Sequence, residues 1–145
     1  MRLLGRAVQR LTPYGDGVHE LLFRTCRFFD TRFEGCKLVG SRFERSTFAL
    51  LEVAGGDWSF TTLHTADLRK ADFDGVRLRE ADLTAARLEG ARLARCDLAG
   101  ALLTGADLRG SDLSSLDPLR VEARGARIDL EQAAVLATAL GYEVG

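Results

Sequence analysis

The sequence is poor in the residues that build most catalytic and metal sites. Its 145 residues include two histidines, three cysteines, two prolines and one tryptophan. No Cys-x-x-Cys spacing occurs, which argues against a structural zinc site. The glycine-rich phosphate loop, the Gly-x-Ser-x-Gly elbow and the His-Glu-x-x-His motif are also absent. We therefore predict that the protein is not an enzyme and has no catalytic residue, metal site or cofactor.

Long apolar runs are missing as well. No stretch of 18 apolar residues occurs, so no transmembrane helix is predicted. The first residues also lack the apolar segment and cleavage site of a signal peptide. Residues 1–11 are basic and weakly amphipathic, which is typical of a short helix or a frayed segment, a membrane-surface role being the alternative. We predict a cytoplasmic protein without membrane contact, in which residues 1–17 form an N-terminal cap or a flexible segment.

The most regular feature of the sequence is an apolar residue at every fifth position from Val18 to Leu113. A period of five spreads side chains around an α-helix and alternates them between the two faces of a flat strand, so it fits neither. A small residue usually stands two positions before the apolar one. Large and small side chains would then alternate in a narrow, tightly filled interior without a pocket. Trp58 occupies one inward site, and small Gly56 is expected to make room for it.

The repeat unit at residues 66–70, 81–85 and 106–110 has the form Ala-Asp-Leu-x-x. It resembles the pentapeptide-repeat family over residues 18–128. The resemblance implies an all-β solenoid, a right-handed quadrilateral parallel β-helix of about five to six coils, with twenty residues in each coil. Residues twenty apart then stack, so Phe23 lies under Phe43 and Phe28 under Phe48. Cys26, Cys36 and Cys96 fall at small inward positions and are predicted to be buried thiols in a reducing compartment.

The five-residue pattern lapses at Pro118 and Ala123 and returns at Ile128, which predicts a bulge within a last partial coil. Residues 129–145 then read as a C-terminal helix and tail, with Asp129 as N-cap and Gly141 at the end. This helix has apolar residues on more than one side, so it is predicted both to cap the last coil and to form a homodimer. The predicted dimer contacts are Leu130, Ala133, Ala134, Leu136, Ala137, Leu140 and Tyr142.

Residues 124–129 and the small-residue helix after them resemble the C-terminus of mycobacterial fluoroquinolone-resistance members of the same family. The resemblance implies that the chain binds DNA gyrase or a related type II topoisomerase, gives resistance to quinolones and dimerises through this helix. A general scaffold with an unknown partner is the alternative function.

Members of the family are held to bind gyrase by mimicking duplex DNA, and the charge of this chain bears on that idea. It has 20 basic and 21 acidic residues, a net charge of −1, whereas duplex DNA carries one negative charge about every 1.7 Å. One outward face leans acidic and is the predicted partner-binding face, an ordinary solvated face being the alternative. No face is basic, so direct nucleic-acid binding is not expected. The acidic residues are Glu34, Glu52, Asp72, Asp74 and Asp112.

Overall fold

The structure is a computed structural model that describes residues 2–4, 7–11 and 20–145. These residues form a parallel β-solenoid that ends in one α-helix, which confirms the predicted fold class. The strands are short because the chain turns a corner after every few residues. The described strands are β1 (Arg2–Leu4), β2 (Ala7–Leu11), β3 (Leu22–Arg24), β4 (Arg27–Glu34), β5 (Arg42–Glu44), β6 (Thr47–Ala49), β7 (Glu52–Ala54), β8 (Asp72–Asp74) and β9 (Arg92–Ala94), and the helix is α1 (Leu130–Ala139).

Successive coils pair in parallel, with residues twenty apart side by side. One sheet has the order β1-β3-β5, and a second has the order β2-β4-β7-β8-β9 with β6 also paired to β4. Isolated bridges continue the same register to Glu122 and Arg127. From β2 to β9, the strands of the longer sheet span about four turns of the solenoid. This is slightly fewer than the five to six coils expected, because the later coils are joined by single bridges and not by strands.

Residues 2–4 and 7–11, the described part of the N-terminal segment, form strands where the sequence suggested a short helix or a frayed segment. Strand β1 pairs with β3 and places Leu3 beside Phe23, while β2 pairs with β4 and places Val8 beside Phe28. Both pairs are twenty residues apart, so these two strands share the register of the β-helix and extend it to residues before Val18. A strand paired to the first coil also covers its exposed edge. Residues 12–17 lie outside the described residues.

The interior is filled by the apolar residues of the repeat, and its N-terminal part is aromatic. Phe23 stacks on Phe43 with ring centroids 4.7 Å apart, and Phe28 stacks on Phe48 at 5.1 Å. Trp58 is fully buried and stacks on Phe43 at 5.5 Å. These contacts confirm the predicted stacking of residues twenty apart and the placement of Trp58 in the core.

Gly56 is small for a different reason from the one that the sequence suggested. A Cβ atom at Gly56 would lie 2.3 Å from the carbonyl oxygen of Cys36, in the coil below. The residue also has a φ of +90°, in the region that favours glycine. The close approach of two backbones, rather than the width of Trp58, therefore requires glycine here.

The predicted bulge lies at Pro118, where the ladder shifts by one residue. Gly90 N–H donates to the carbonyl of Arg109 and Leu103 N–H to that of Glu122, but Gly100 N–H donates to that of Arg120. The first two bonds join residues nineteen apart and the third joins residues twenty apart. At the position of Pro118 the regular coils donate an N–H forward, as Leu103 does to Glu122, so proline removes no bond to the preceding coil, and the ladder is back in register by Glu122.

Candidate interaction surfaces

The solenoid brings together most of the predicted acidic face. Outward residues of β4, β7 and β8 line one side of the longer sheet, with Glu52 beside Asp72 and Asp72 beside Arg92. Glu34 and Asp74 lie one column further along the same strands, in register through Ala54. Asp112 follows one coil later, where its N–H donates to the carbonyl of Ala91.

Three arginines form ion pairs with four of these five carboxylates. Arg32 contacts both Glu34 and Glu52, with N–O distances of 2.6 Å in each case. The other two pairs join Arg92 to Asp72 at 3.8 Å and Arg95 to Asp74 at 2.6 Å. A partner that approaches this face therefore meets alternating charges and not a continuous acidic surface.

The electrostatics of the face follow from these contacts. The hydrogen bonds from Arg95 hold the pKa of Asp74 below its usual value. The backbone N–H of Ser114 has the same effect on the pKa of Asp112. Both carboxyl groups are thus firmly ionised at neutral pH, and both already have a hydrogen-bonding partner within the chain.

The same pairing occurs on the neighbouring face, so the acidic face is not chemically special. Asp67, Arg87, Asp107 and Arg127 are bridged in register, with the sign of the charge alternating from coil to coil. Asp107 accepts two hydrogen bonds from Arg109 and lies 3.7 Å from Arg127, and its side chain is 14% exposed. Bonding to Arg109 lowers the pKa of Asp107 to about 2. Reading the sequence in steps of twenty would have found this alternation.

Helix α1 is anchored to the last complete coil by polar contacts. Asp129 and Gln132 form the predicted capping box. The side-chain amide of Gln132 also donates to the backbone carbonyls of Leu108 and Ser111, and it is buried. Asp129 accepts from the N–H of Gly110 at 2.9 Å. Two residues predicted only as helix caps therefore also satisfy backbone groups that the end of the solenoid would leave unpaired.

The C-terminal end of α1 follows the prediction in detail. Leu140 is the C-cap, and Gly141 has a φ of +91°. Gly141 N–H donates to the carbonyl of Thr138 and Tyr142 N–H to that of Ala137. These two bonds form a Schellman motif, which explains why the helix ends at this glycine.

The predicted dimer residues divide between the two sides of α1. Leu136 packs against the core of the solenoid and is not part of the outward surface. Ala134 and Ala137 are half-buried, whereas Ala133 is exposed. Leu130 is 90% exposed, and Leu140 and Tyr142 are also exposed. The prediction missed Val135, which is exposed on the same helix.

An apolar cavity separates α1 from the last coil. Its volume is about 120 Å³, and its lining includes Pro118, Ala123 and Leu136. The expectation of an interior without a pocket is therefore wrong at this end of the solenoid. In the sequence, Pro118 and Ala123 indicate an irregular register, but they also reduce the side-chain volume at two inward positions, and this second effect produces the cavity.

The chemistry available to the described residues is limited. They contain no group of three or more His, Cys, Asp or Glu side chains that could hold a metal ion. Cys26, Cys36 and Cys96 are buried and form no disulfide. Burial raises the pKa of the Cys36 and Cys96 thiols, which makes them poor nucleophiles. Of the described residues, no helix is long and apolar enough to span a bilayer.

Comparisons with known proteins agree with this architecture. Residues 26–103 match a family model described as a pentapeptide repeat region. Two trypsin-treated variants of QnrB1, a plasmid-mediated fluoroquinolone resistance protein, superpose on the whole chain with TM-scores of 0.56 and 0.54. Their sequence identities are 18% and 19%, and in each case 98% of the QnrB1 chain is covered. No curated protein sequence matches the chain.

Proposed function

The chain belongs to the pentapeptide-repeat family, and we propose that it is a non-enzymatic protein-interaction module that binds DNA gyrase or a related type II topoisomerase in the cytoplasm. The observation that carries this proposal is the likeness to QnrB1, which covers nearly all of both chains. By itself, this structural likeness supports only the fold. The step from fold to partner rests on the resistance function of QnrB1 and on the resemblance of residues 124–129 to resistance proteins of the same family.

The geometry supports an interaction role in a second way. A solenoid whose interior is filled by its own side chains presents its chemistry on flat outer faces of fixed spacing. Adjacent coils lie about 4.8 Å apart, so outward side chains form straight columns at that interval. Such columns suit recognition of another rigid surface.

The mode of binding follows from the ion pairs. Because Glu52, Asp72 and Asp74 are already paired with arginines, we propose that the partner exchanges these arginines for its own basic groups at the acidic face. This is a different basis for recognition from a uniformly negative rod, and its strength will fall as salt is added.

An assay of gyrase with and without a quinolone tests the function directly. We expect the protein to reduce drug-induced DNA cleavage, or to inhibit supercoiling, in proportion to its concentration. Supercoiling and cleavage that stay unchanged at a large molar excess would overturn the proposal. The outcome would then favour the alternative, a scaffold with another partner, which the similarity between the acidic face and its neighbour also supports.

We further propose that the protein forms a homodimer through α1. Leu130 is 90% exposed in the first turn of the helix, and Tyr142 and Val144 extend the apolar surface beyond it. Exposed apolar side chains clustered at one end of a protein are typical of an interface, and a two-fold axis would bury them against their counterparts.

The dimer is tested by the mass of the protein in solution. Light scattering after size-exclusion chromatography should give twice the chain mass for the native protein and a single chain mass for Leu130→Glu. Leu119→Glu is the matched control, since Leu119 is also highly exposed, at 79%, but lies on the bulge and not on α1. A native protein that elutes as a monomer at high concentration would contradict the proposal.

A further inference from the structure

The last coil of the solenoid contains less side-chain volume than the coil before it. The positions due for large apolar residues hold Pro118 and Ala123. One coil earlier, the corresponding positions hold Leu98 and Leu103, which are 3% and 0% exposed. Replacing leucine with alanine removes three carbons from the interior. Unless neighbouring groups collapse into the space, a cavity is left behind.

The neighbouring groups do not fill this space. Gln132 and Asp129 fix the beginning of α1 to the coil through hydrogen bonds to Ser111 and Gly110. Leu136, one turn further along, is the only described residue of α1 that packs against the core as a partly buried apolar side chain. The polar anchors thus fix the beginning of the helix, and Leu136 contacts the core without filling the space left beside Pro118 and Ala123.

The result is a cavity of about 120 Å³ lined by apolar residues alone. Its floor is the end of the core, where Leu113 and Leu116 are 4% and 7% exposed. Ala123 and Ile128 line the same cavity and are exposed to solvent, so they mark an opening through which a small molecule can enter. No charged residue belongs to the lining.

We propose that this cavity binds a small uncharged apolar molecule, of the size of one aromatic ring or a short branched hydrocarbon. Apolar cavities of about 150 Å³ lined by aliphatic and aromatic side chains stay dry and take up benzene or xenon. A polar ligand would lose its hydrogen bonds to water and find no polar side chain in the lining. The site is separate from the acidic face and from the outward surface of α1, so this proposal does not depend on the proposed gyrase binding.

Benzene is the probe for the first experiment, with the full chain labelled at its methyl groups for NMR. Titration should give saturable shifts at Leu116, Val121 and Leu136 and none at core methyls of the middle coils, such as Leu63. Benzene should also raise the midpoint of thermal unfolding as its concentration increases, because a ligand that binds only the folded state stabilises it.

Two variants locate the site. Ala123→Leu restores the residue type found one coil earlier and should abolish both the methyl shifts and the thermal stabilisation. Ala139→Leu adds the same volume at an exposed position of α1 and should leave both effects intact. Benzene effects that persist in Ala123→Leu would overturn the assignment of the ligand to this cavity.

A second copy of the chain seated on this end could close the opening, so the titration is repeated with Leu130→Glu. Binding in either the native protein or this variant, removed by Ala123→Leu in the same background, supports the proposal. Saturable shifts in neither background would overturn it. The gyrase assay is independent of this readout, so failure of one proposal is distinguishable from failure of the other.

Discussion

Gly56 makes the closest backbone contact that any glycine of the described coils makes. Its missing Cβ leaves room for the carbonyl of Cys36, which a methyl group would approach to 2.3 Å. Gly105 is a useful contrast, because its φ is +68° but a Cβ there would meet no atom within 4 Å. Substituting alanine at Gly105 therefore measures the cost of a left-handed backbone alone, and at Gly56 it adds the cost of a clash between coils.

We predict that Gly56→Ala lowers the free energy of unfolding by about 3 kcal/mol or more, while Gly105→Ala lowers it by about 1–2 kcal/mol, the strain of a left-handed alanine alone. Denaturant unfolding followed by circular dichroism measures both values. Equal losses in the two variants would show that the coils separate easily at Cys36.

Many corners of the coil are held in the left-handed region without glycine. Eleven described non-glycine residues have a positive φ, among them Ala85 at +55°. The sequence suggested glycine at these corners because it occurs there often. It did not show that all residue types at this position adopt the same strained conformation, since the regular turn, and not the residue, dictates the backbone.

Ala85→Gly is predicted to stabilise the protein. Relief of left-handed strain gains about 1–2 kcal/mol, and the greater freedom of glycine in the unfolded chain costs about 0.5–1 kcal/mol, which leaves a net gain of up to about 1.5 kcal/mol. The control is Ala94→Gly in β9, which should lose about 0.5–1 kcal/mol because the strand has no strain to relieve. Denaturant midpoints of the two variants should move in opposite directions, and a common direction would contradict the argument.

At the scale of the element, α1 depends on a few polar contacts with the end of the solenoid. Gln132 contributes to the capping box and also donates to two carbonyls of the coil, so its loss unpairs groups on both sides. The helix is only 10 residues long, and isolated helices of that length are marginal in water.

Gln132→Ala is therefore predicted to release α1 without unfolding the coils. Hydrogen exchange of the amides of residues 133–140 should accelerate by at least about tenfold, which corresponds to about 1.4 kcal/mol of local stability. Amides of the middle coils should be unaffected. The control is Glu131→Gln, at an exposed neighbouring position, which should change the hydrogen exchange of these amides little. A similar acceleration in this variant would mean that charge in the first turn, and not the amide of Gln132, holds the helix.

The column of alternating charges gives a second prediction at this scale, through Asp107. Its pKa is lowered to about 2 in the folded protein, chiefly by bonding to Arg109. A carboxyl group whose pKa is depressed on folding contributes stability above its unfolded pKa of about 3.9, and this stability is lost as pH falls through the folded value.

Asp107→Asn should thus destabilise the protein at pH 7 by on the order of 1–2 kcal/mol, because the Asp107 side chain is only 14% exposed, although solvent reaches Arg109, which is 46% exposed, and weakens the pair. The difference between the variant and the native protein should shrink below about pH 4 and vanish near pH 2. Denaturant midpoints across this range measure it. Glu143→Gln, in the exposed tail, is the control for the loss of one negative charge. A difference that stays constant with pH for Asp107→Asn would contradict the assignment.

For the molecule as a whole, the predictable part is the part that repeats. The five-residue pattern predicts the coil, its core and the stacking of Phe23 on Phe43, because one geometry satisfies all units at once. The same register makes the Arg32–Glu52 pair predictable, because its members are twenty residues apart, but not the pair of Arg95 with Asp74, which joins residues twenty-one apart. The pattern also misjudged both ends, where Leu3 continues the repeat and Ala123 opens a cavity, because the ends are not surrounded by identical units.

The ion pairs make the proposed gyrase binding testable in two directions. If the partner recognises the carboxylates of the acidic face, replacing Glu52, Asp72 and Asp74 with lysine should abolish protection of gyrase. Replacing the arginines that cover them, at positions 32, 92 and 95, with glutamine should instead strengthen it, because the carboxylates no longer have to be released from internal pairs.

A matched control reverses three carboxylates on another side of the solenoid, at positions 44, 82 and 122. This variant makes the same change in net charge as the lysine triple variant, so a nonspecific effect of charge would appear in both. The measurement is the protein concentration that halves quinolone-induced cleavage, at two salt concentrations. Recognition at the acidic face requires this concentration to fall for the glutamine variant and to rise for the lysine variant alone. If the glutamine variant is no better than the native protein, the carboxylates are structural partners of the arginines and not the surface that a topoisomerase recognises.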